Sequence, residues 1–240
     1  MRLHRIGRAM VCAVVALIGL ASSALMGKAD EKKTAYPNMA PVEQYRMERN
    51  AEIALAKSAA PAAIANSASV EVMGRKGYET AIKGKNGFLC LVERSWTAGI
   101  DDPDFWNPKL RGPVCFNPPA VRTYVPLTKM KTELVLAGKS KEQMFAAIAA
   151  AFDKKELSQP EPGSMCYMMS KDQYLASADG NWHPHLMFFL PATDSEFWGA
   201  GVAGSPVIVA QDKEDRLTIF MVTVGKWSDG TAAPAMKDEK

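Results

Sequence analysis

The run Trp182-His-Pro-His185 places two histidines, His183 and His185, two residues apart. On an extended strand, residues i and i+2 point to the same side, so both imidazoles can reach one metal ion or one substrate. Met187 and Phe189 continue that side, and the preceding apolar stretch carries Cys166 and Met168 at the same spacing. If the two strands pair with these sides aligned, a cysteine, a methionine and two histidines converge. That is a soft donor set, and the cofactor it suits is copper. The spacing differs from blue-copper sites, which keep Cys, His and Met together in one loop. Cys166 with His183 or His185 also has the composition of a thiol–imidazole pair, in which the imidazole takes the thiol proton. No protease signature surrounds it, since Gly163-Ser-Met-Cys-Tyr167 matches none. The competing reading makes Met168, Met187 and Phe189 core and the histidines a strand-end cap beside Pro184.

Other candidate chemistry is thinner. Asp101, Asp102 and Asp104 supply oxygens for calcium, but their spacing is not that of an EF-hand, and Asp beside Pro commonly makes turns. Glu93 and Arg94 read as an ion pair at a sheet edge. The run Gly199-Ala-Gly-Val-Ala-Gly204 lacks the helix and lysine of a phosphate loop. There is no CxxC. Without a catalytic motif, the expectation is a non-catalytic binding or accessory protein. The alternative is a copper-type metal protein, or a thiol-based redox or hydrolytic protein, using Cys166, His183 and His185.

The leader states an address. Arg2, Arg5 and Arg8 precede the apolar run Met10–Leu20, and small residues follow, which is the secretory order. Residues 1–29 therefore read as a signal peptide, cleaved after Ala24 or Ala29, and the mature chain is expected in the periplasm or outside the cell. No second apolar span of membrane length follows, so no membrane partner is expected for the mature form. Four of the 29 basic residues lie in this leader, leaving 25 against 26 acidic ones and a net charge of −1. A near-neutral chain without a basic run gives no case for nucleic acid. Of the cysteines beyond the leader, Cys90 and Cys115 are the expected disulfide, an export-compatible bond that tethers a Pro-rich loop to a strand. Cys166 remains as the free thiol.

The elements follow from pattern. Residues 30–64 read as a polar tether and an N-terminal helix running from Pro41 to about Ala59, with Met47, Ala51, Ala54, Leu55 and Ser58 on one face. Residues 65–230 read as the folded domain, and 231–240 as a polar tail, frayed from Trp227. Strands are expected at Val70–Met73, Tyr78–Ile82, Phe88–Trp96, Ser164–Met169, Leu186–Leu190, Pro206–Gln211 and Arg216–Val224. Gly99–Pro119, with five prolines, reads as a long loop. Helical pattern runs from Lys129 to Ala137. A second helix follows the capping box Ser140-Lys-Glu-Gln143. Short sequential strands joined by turns favour a single α+β domain with a mostly antiparallel sheet and helices packed on one side.

Three stretches, Gly87-Phe-Leu-Cys-Leu-Val-Glu-Arg-Ser-Trp96, Trp182-His-Pro-His-Leu-Met-Phe-Phe189 and Val224-Gly-Lys-Trp-Ser-Asp-Gly230, resemble a set of bacterial exported proteins of unknown function. The resemblance implies a bacterial origin and carries no activity with it.

Overall fold

Both sides of the stretch from Leu89 to Glu93 are apolar along most of its length, and a strand of that kind has to be covered on both faces. The computed structural model, which describes residues 36–177 and 181–234, shows how this is done. The first helix, α1 (Arg49–Lys57), and the short α2 (Ala62–Ala65) lead into β1 (Ser69–Met73), β2 (Tyr78–Ile82), β3 (Leu89–Glu93) and β4 (Gly112–Phe116). Three helices follow: α3 (Pro118–Thr123), α4 (Val125–Leu136) and α5 (Lys141–Asp153). The chain ends in β5 (Met165–Met168), β6 (His185–Pro191), β7 (Val207–Asp212) and β8 (Leu217–Thr223). The expected signal peptide lies outside the described residues.

The eight strands form one sheet in the order β2-β1-β3-β4-β5-β6-β8-β7. Every pairing is antiparallel except β1 with β3. Thr34–Lys240 is one compact unit, a single α+β domain of mostly antiparallel type. Leu89 and Leu91 of β3, with Val114, Phe116, Cys166, Met168 and Phe189, face α3, α4 and α5 and form the main core. Cys90 and Val92, with Val70 and Cys115, turn the other way and bury Ala56, Ala59 and Ala60. The three longer-range helices thus lie on one side as expected, and α1 adds a layer on the opposite side, over β1, β3 and β4.

The Pro-rich loop is shorter than its sequence implies, because it contains β4. A central strand that includes Pro113 runs against the rule that proline is confined to edges. Here the ladder to β5 starts only at Cys115, so at Pro113 the strand is paired on the β3 side alone. Cys90 and Cys115 stand directly opposite each other on β3 and β4, with Cα atoms 4.0 Å apart, and are bridged. The bond therefore clamps two neighbouring strands, not a loop to a strand. Closing a separation of 25 residues contributes about 3–4 kcal/mol in the chain-entropy account. The remainder of the loop is pinned by buried Trp96, Phe105 and Trp106. Trp96 Nε1 donates to Thr132 Oγ1 on α4 at 2.9 Å.

Two further expectations are corrected. The N-terminal helix does not start at Pro41. A 3-10 turn covers Val42–Tyr45, and α1 begins after Glu48, whose carboxylate caps it by accepting from Ala51 N at 2.8 Å. Its buried residues are Glu52 and Ala56, not the wider apolar face. The tail is not frayed from Trp227: that indole is buried, Lys226 bridges to Ala232, and Ser228 N donates to Met169 O at 2.9 Å.

Candidate functional site

Strands β5 and β6 pair with Met168 opposite His185 and Cys166 opposite Met187. The alignment required for a shared site is therefore present: Cys166, Met168 and His185 stand on the face that meets α3–α5. The chemistry differs from a metal centre. His183 precedes the strand and is half-exposed, while His185 is buried. Both rings lie edge-on to the Trp182 indole. Among the described residues no three His, Cys, Asp or Glu side chains converge on a space for one ion. Cys166, His183 and His185 accordingly do not form a three-donor group of that kind.

The protonation states point the same way. His185 Nδ1 lies 2.8 Å from the His183 carbonyl. A carbonyl only accepts, so Nδ1 carries the proton. Burial lowers the imidazole to about 4, so the ring is neutral at physiological pH. The Cys166 thiol is free and buried. Burial first, and the charge of Glu93 second, hold it well above the usual thiol range. A thiol in that condition is not an activated nucleophile. Asp104, one of the calcium candidates, accepts instead from Ser177 N at 2.7 Å and from its hydroxyl at 2.6 Å.

Ionisable groups are buried on both sides of the sheet, and they correct the expected edge pair Glu93–Arg94. Glu93 and Arg94 are successive residues and so face opposite ways; they do not pair with each other. Arg94 is fully buried, donating to Tyr45 O at 2.7 Å and to Glu52 Oε1 at 2.9 Å. Glu52 also accepts from Met73 N at 3.0 Å. On the other face, Glu93 accepts from the Thr128 hydroxyl at 3.3 Å. Lys131, one turn further along α4, pairs with Asp215 of the β7–β8 turn and donates to Thr97 O at 3.3 Å. Groups from β3 and from the β7–β8 turn thus meet at one helix. Each of these charges is accounted for by a structural contact, and none opens onto a cleft.

The cleft with the clearest binding character lies elsewhere. Phe188 and Leu190 are the β6 residues on the face away from α3–α5, beyond the strands that α1 covers. They floor a cleft of about 380 Å³ walled by Pro160, Pro162, Pro191 and Trp198. One wall is fixed by its own bonding. Ser164 N donates to Glu161 O at 3.1 Å, Phe189 N to Ser164 O at 3.0 Å, and Asn117 Nδ2 to Gly163 O at 2.8 Å. The other wall is the 3-10 turn Glu196–Trp198, whose indole stacks on Phe220 at 4.5 Å. The turn ends at Gly199 in the left-handed region, φ 62°, which glycine adopts without steric cost. Phe197 beside it is 89% exposed and Val202 63%. The one charged side chain in the lining, Glu161, is engaged by Arg122, and the Ser164 hydroxyl donates to Glu161 O.

Compared with family models, curated proteins and solved structures, the chain matches none of them.

Proposed function

We propose that this is an exported, non-catalytic binding protein that takes a small apolar ligand in the cleft between the 160–164 turn, β6 and Trp198. The observation that carries the reading is the lining itself. Its size lies within the range of small-molecule sites, and its walls are aromatic, aliphatic and proline surface. It contains no nucleophile paired with a base. The disulfide, the secretory order of residues 1–29 and the absence of a membrane-length helix among the described residues are compatible with export. The buried, protonated Cys166 and the engaged His185 weigh against thiol or copper chemistry.

Titration with N-phenyl-1-naphthylamine and with decanoate tests the cleft. Saturable binding to the full chain is expected, weakened about tenfold or more by Trp198→Ala, since buried aromatic anchors dominate such sites. The variant also loses the stack on Phe220, so a modest fall in thermal midpoint is expected and binding is compared well below it. Equal binding by the variant, or none by either protein, would sink the cleft. Export is checked by the mass of the protein recovered outside the cytoplasm. A chain shortened by the leader is expected, and one still starting at Met1 rules out cleavage.

A further inference from the structure

The β1–β2 hairpin sits at the opposite end of the sheet from the apolar cleft, and it holds an unusual concentration of positive charge. Gly74, Arg75 and Lys76 of its tip, together with Met73, Glu79 and Arg46, line a cleft of about 530 Å³. Three of these residues are cations. None of the three, Arg46, Arg75 or Lys76, takes part in an ion pair among the described residues. The single carboxylate in the lining, Glu79, is already neutralised by Arg49 at 2.7 Å. The Glu79 carboxylate lies close over Gly74, where a Cβ would come within 2.8 Å of its Oε2. The cleft therefore keeps a local charge of three, in a chain that is otherwise nearly balanced.

Arg46 gives this charge a direction. Its residue is half-buried, and its Nε is fully buried with no hydrogen-bond partner. Among the described residues no protein group accepts from its guanidinium, which has five N–H donors in a fixed fork. A buried Nε–H without an acceptor is costly, and two further cations beside it add repulsion. Both terms are relieved by an anion with several acceptor oxygens. Arginine binds such groups bidentately, with lysine adding a point charge.

We infer that the cleft between Arg46 and the Arg75–Lys76 hairpin tip is a binding site for a tetrahedral oxyanion, a phosphate or sulfate group borne by a small molecule or a polymer. Recognition is by charge and shape, through Arg46 as the fork and the hairpin cations as the lid. The site is independent of the apolar cleft, which shares no residue with it.

The test is a titration of the full, isotope-labelled chain with inorganic phosphate and with inorganic sulfate, against chloride at matched ionic strength. Saturable amide shifts confined to residues 46 and 73–79 are expected, with a Kd of about a millimolar for the bare ion. Affinity should fall about tenfold in Arg46→Ala and also in Arg46→Lys, which keeps the charge but loses the fork. A phosphate preference assigns a phosphate ester, a sulfate preference a sulfate ester, and equal affinity a site that reads charge and shape alone. Shifts that are linear, or the same in chloride, mean screening only and overturn the proposal. If Arg46→Ala fails to fold, the exposed pair Arg75→Glu/Lys76→Glu replaces it. Unchanged phosphate affinity in that variant overturns the site equally.

Discussion

Replacing Arg94 with leucine is expected to cost about 3–5 kcal/mol of folding stability, the range found when one partner of a buried ion pair is removed. The guanidinium holds together three segments distant in sequence: Glu52 on α1, the Tyr45 carbonyl before it, and the end of β3, where Nη1 meets the Val92 carbonyl. Without it, the Glu52 carboxylate is left 1% exposed with only the Met73 amide as a donor. The penalty is then the stranded charge more than the lost bond. That distinction is measurable. The double change Arg94→Leu/Glu52→Leu removes both charges, and urea unfolding should show it recovering a large part of the loss. If the double variant is as unstable as the sum of the single ones, the ion pair itself is the stabilising element and the stranded-charge account fails. An effect of this size matters because a domain of this kind has only about 5–15 kcal/mol in total.

Stability should also fall as pH rises through the window set by Glu93, and Glu93→Gln should remove that fall. Burial pushes the Glu93 carboxyl up to about 7, against the weaker downward pull of the Thr128 hydroxyl and of Lys131. Unfolded, it titrates near the ordinary carboxylate value of about 4.3. Between these values the folded chain holds the proton and the unfolded chain does not, so stability declines with increasing pH. The full effect is about 3 kcal/mol. His185 acts with the opposite sign. Its depressed imidazole makes the folded state lose stability as pH falls from about 6.5 toward 4. Asp215, raised by burial, slopes in the same direction as Glu93. Both are common to the two proteins, so the difference curve isolates Glu93. Denaturant unfolding at a series of pH values should show the variant gaining on the parent up to about pH 7 and then running parallel. Parallel curves throughout would mean that Glu93 is ionised in the fold at all these pH values.

Much of the fold was legible because its signals are local. Ser140 and Gln143 form the reciprocal cap that the sequence implies, and α5 starts directly after it. The two-residue alternation of β5 and β6 placed Cys166, Met168 and His185 on one face, and the register agrees. What was not legible depends on partners far along the chain. Glu52 does not look like a core residue until Arg94, 42 positions later, is set against it. Pro113 argues against a strand until it is known that β5 pairs only from Cys115 onward. Glu93 and Arg94 look like a pair because they are adjacent, yet adjacency on a strand is what separates them.

The candidate site follows the same division. Sequence spacing aligned Cys166 with His185 but not His183, which precedes β6, and burial, a property of the whole fold, decides their chemistry. The two clefts had no sequence signature. One joins residues 160–164 to 188–191 and Trp198, and the other joins Arg46 to residues 73–79.

The backbone of Met169 ties the ends of the domain together: its amide donates to Ala59 O at 2.9 Å, and its carbonyl accepts from Ser228 N at the same distance. The segment after α1, the end of β5 and the turn at Ser228 therefore meet at one residue. During synthesis from the N-terminus this seam stays open until Ser228 has been made, so the nascent chain cannot lock into its final form piece by piece. Residues 226–233 act as the latch, and such long-range closure makes for slow folding. A chain cut before Trp227 lacks the latch, whereas one that ends after Ala233, whose amide bonds to Gly225 O at 3.0 Å, keeps it.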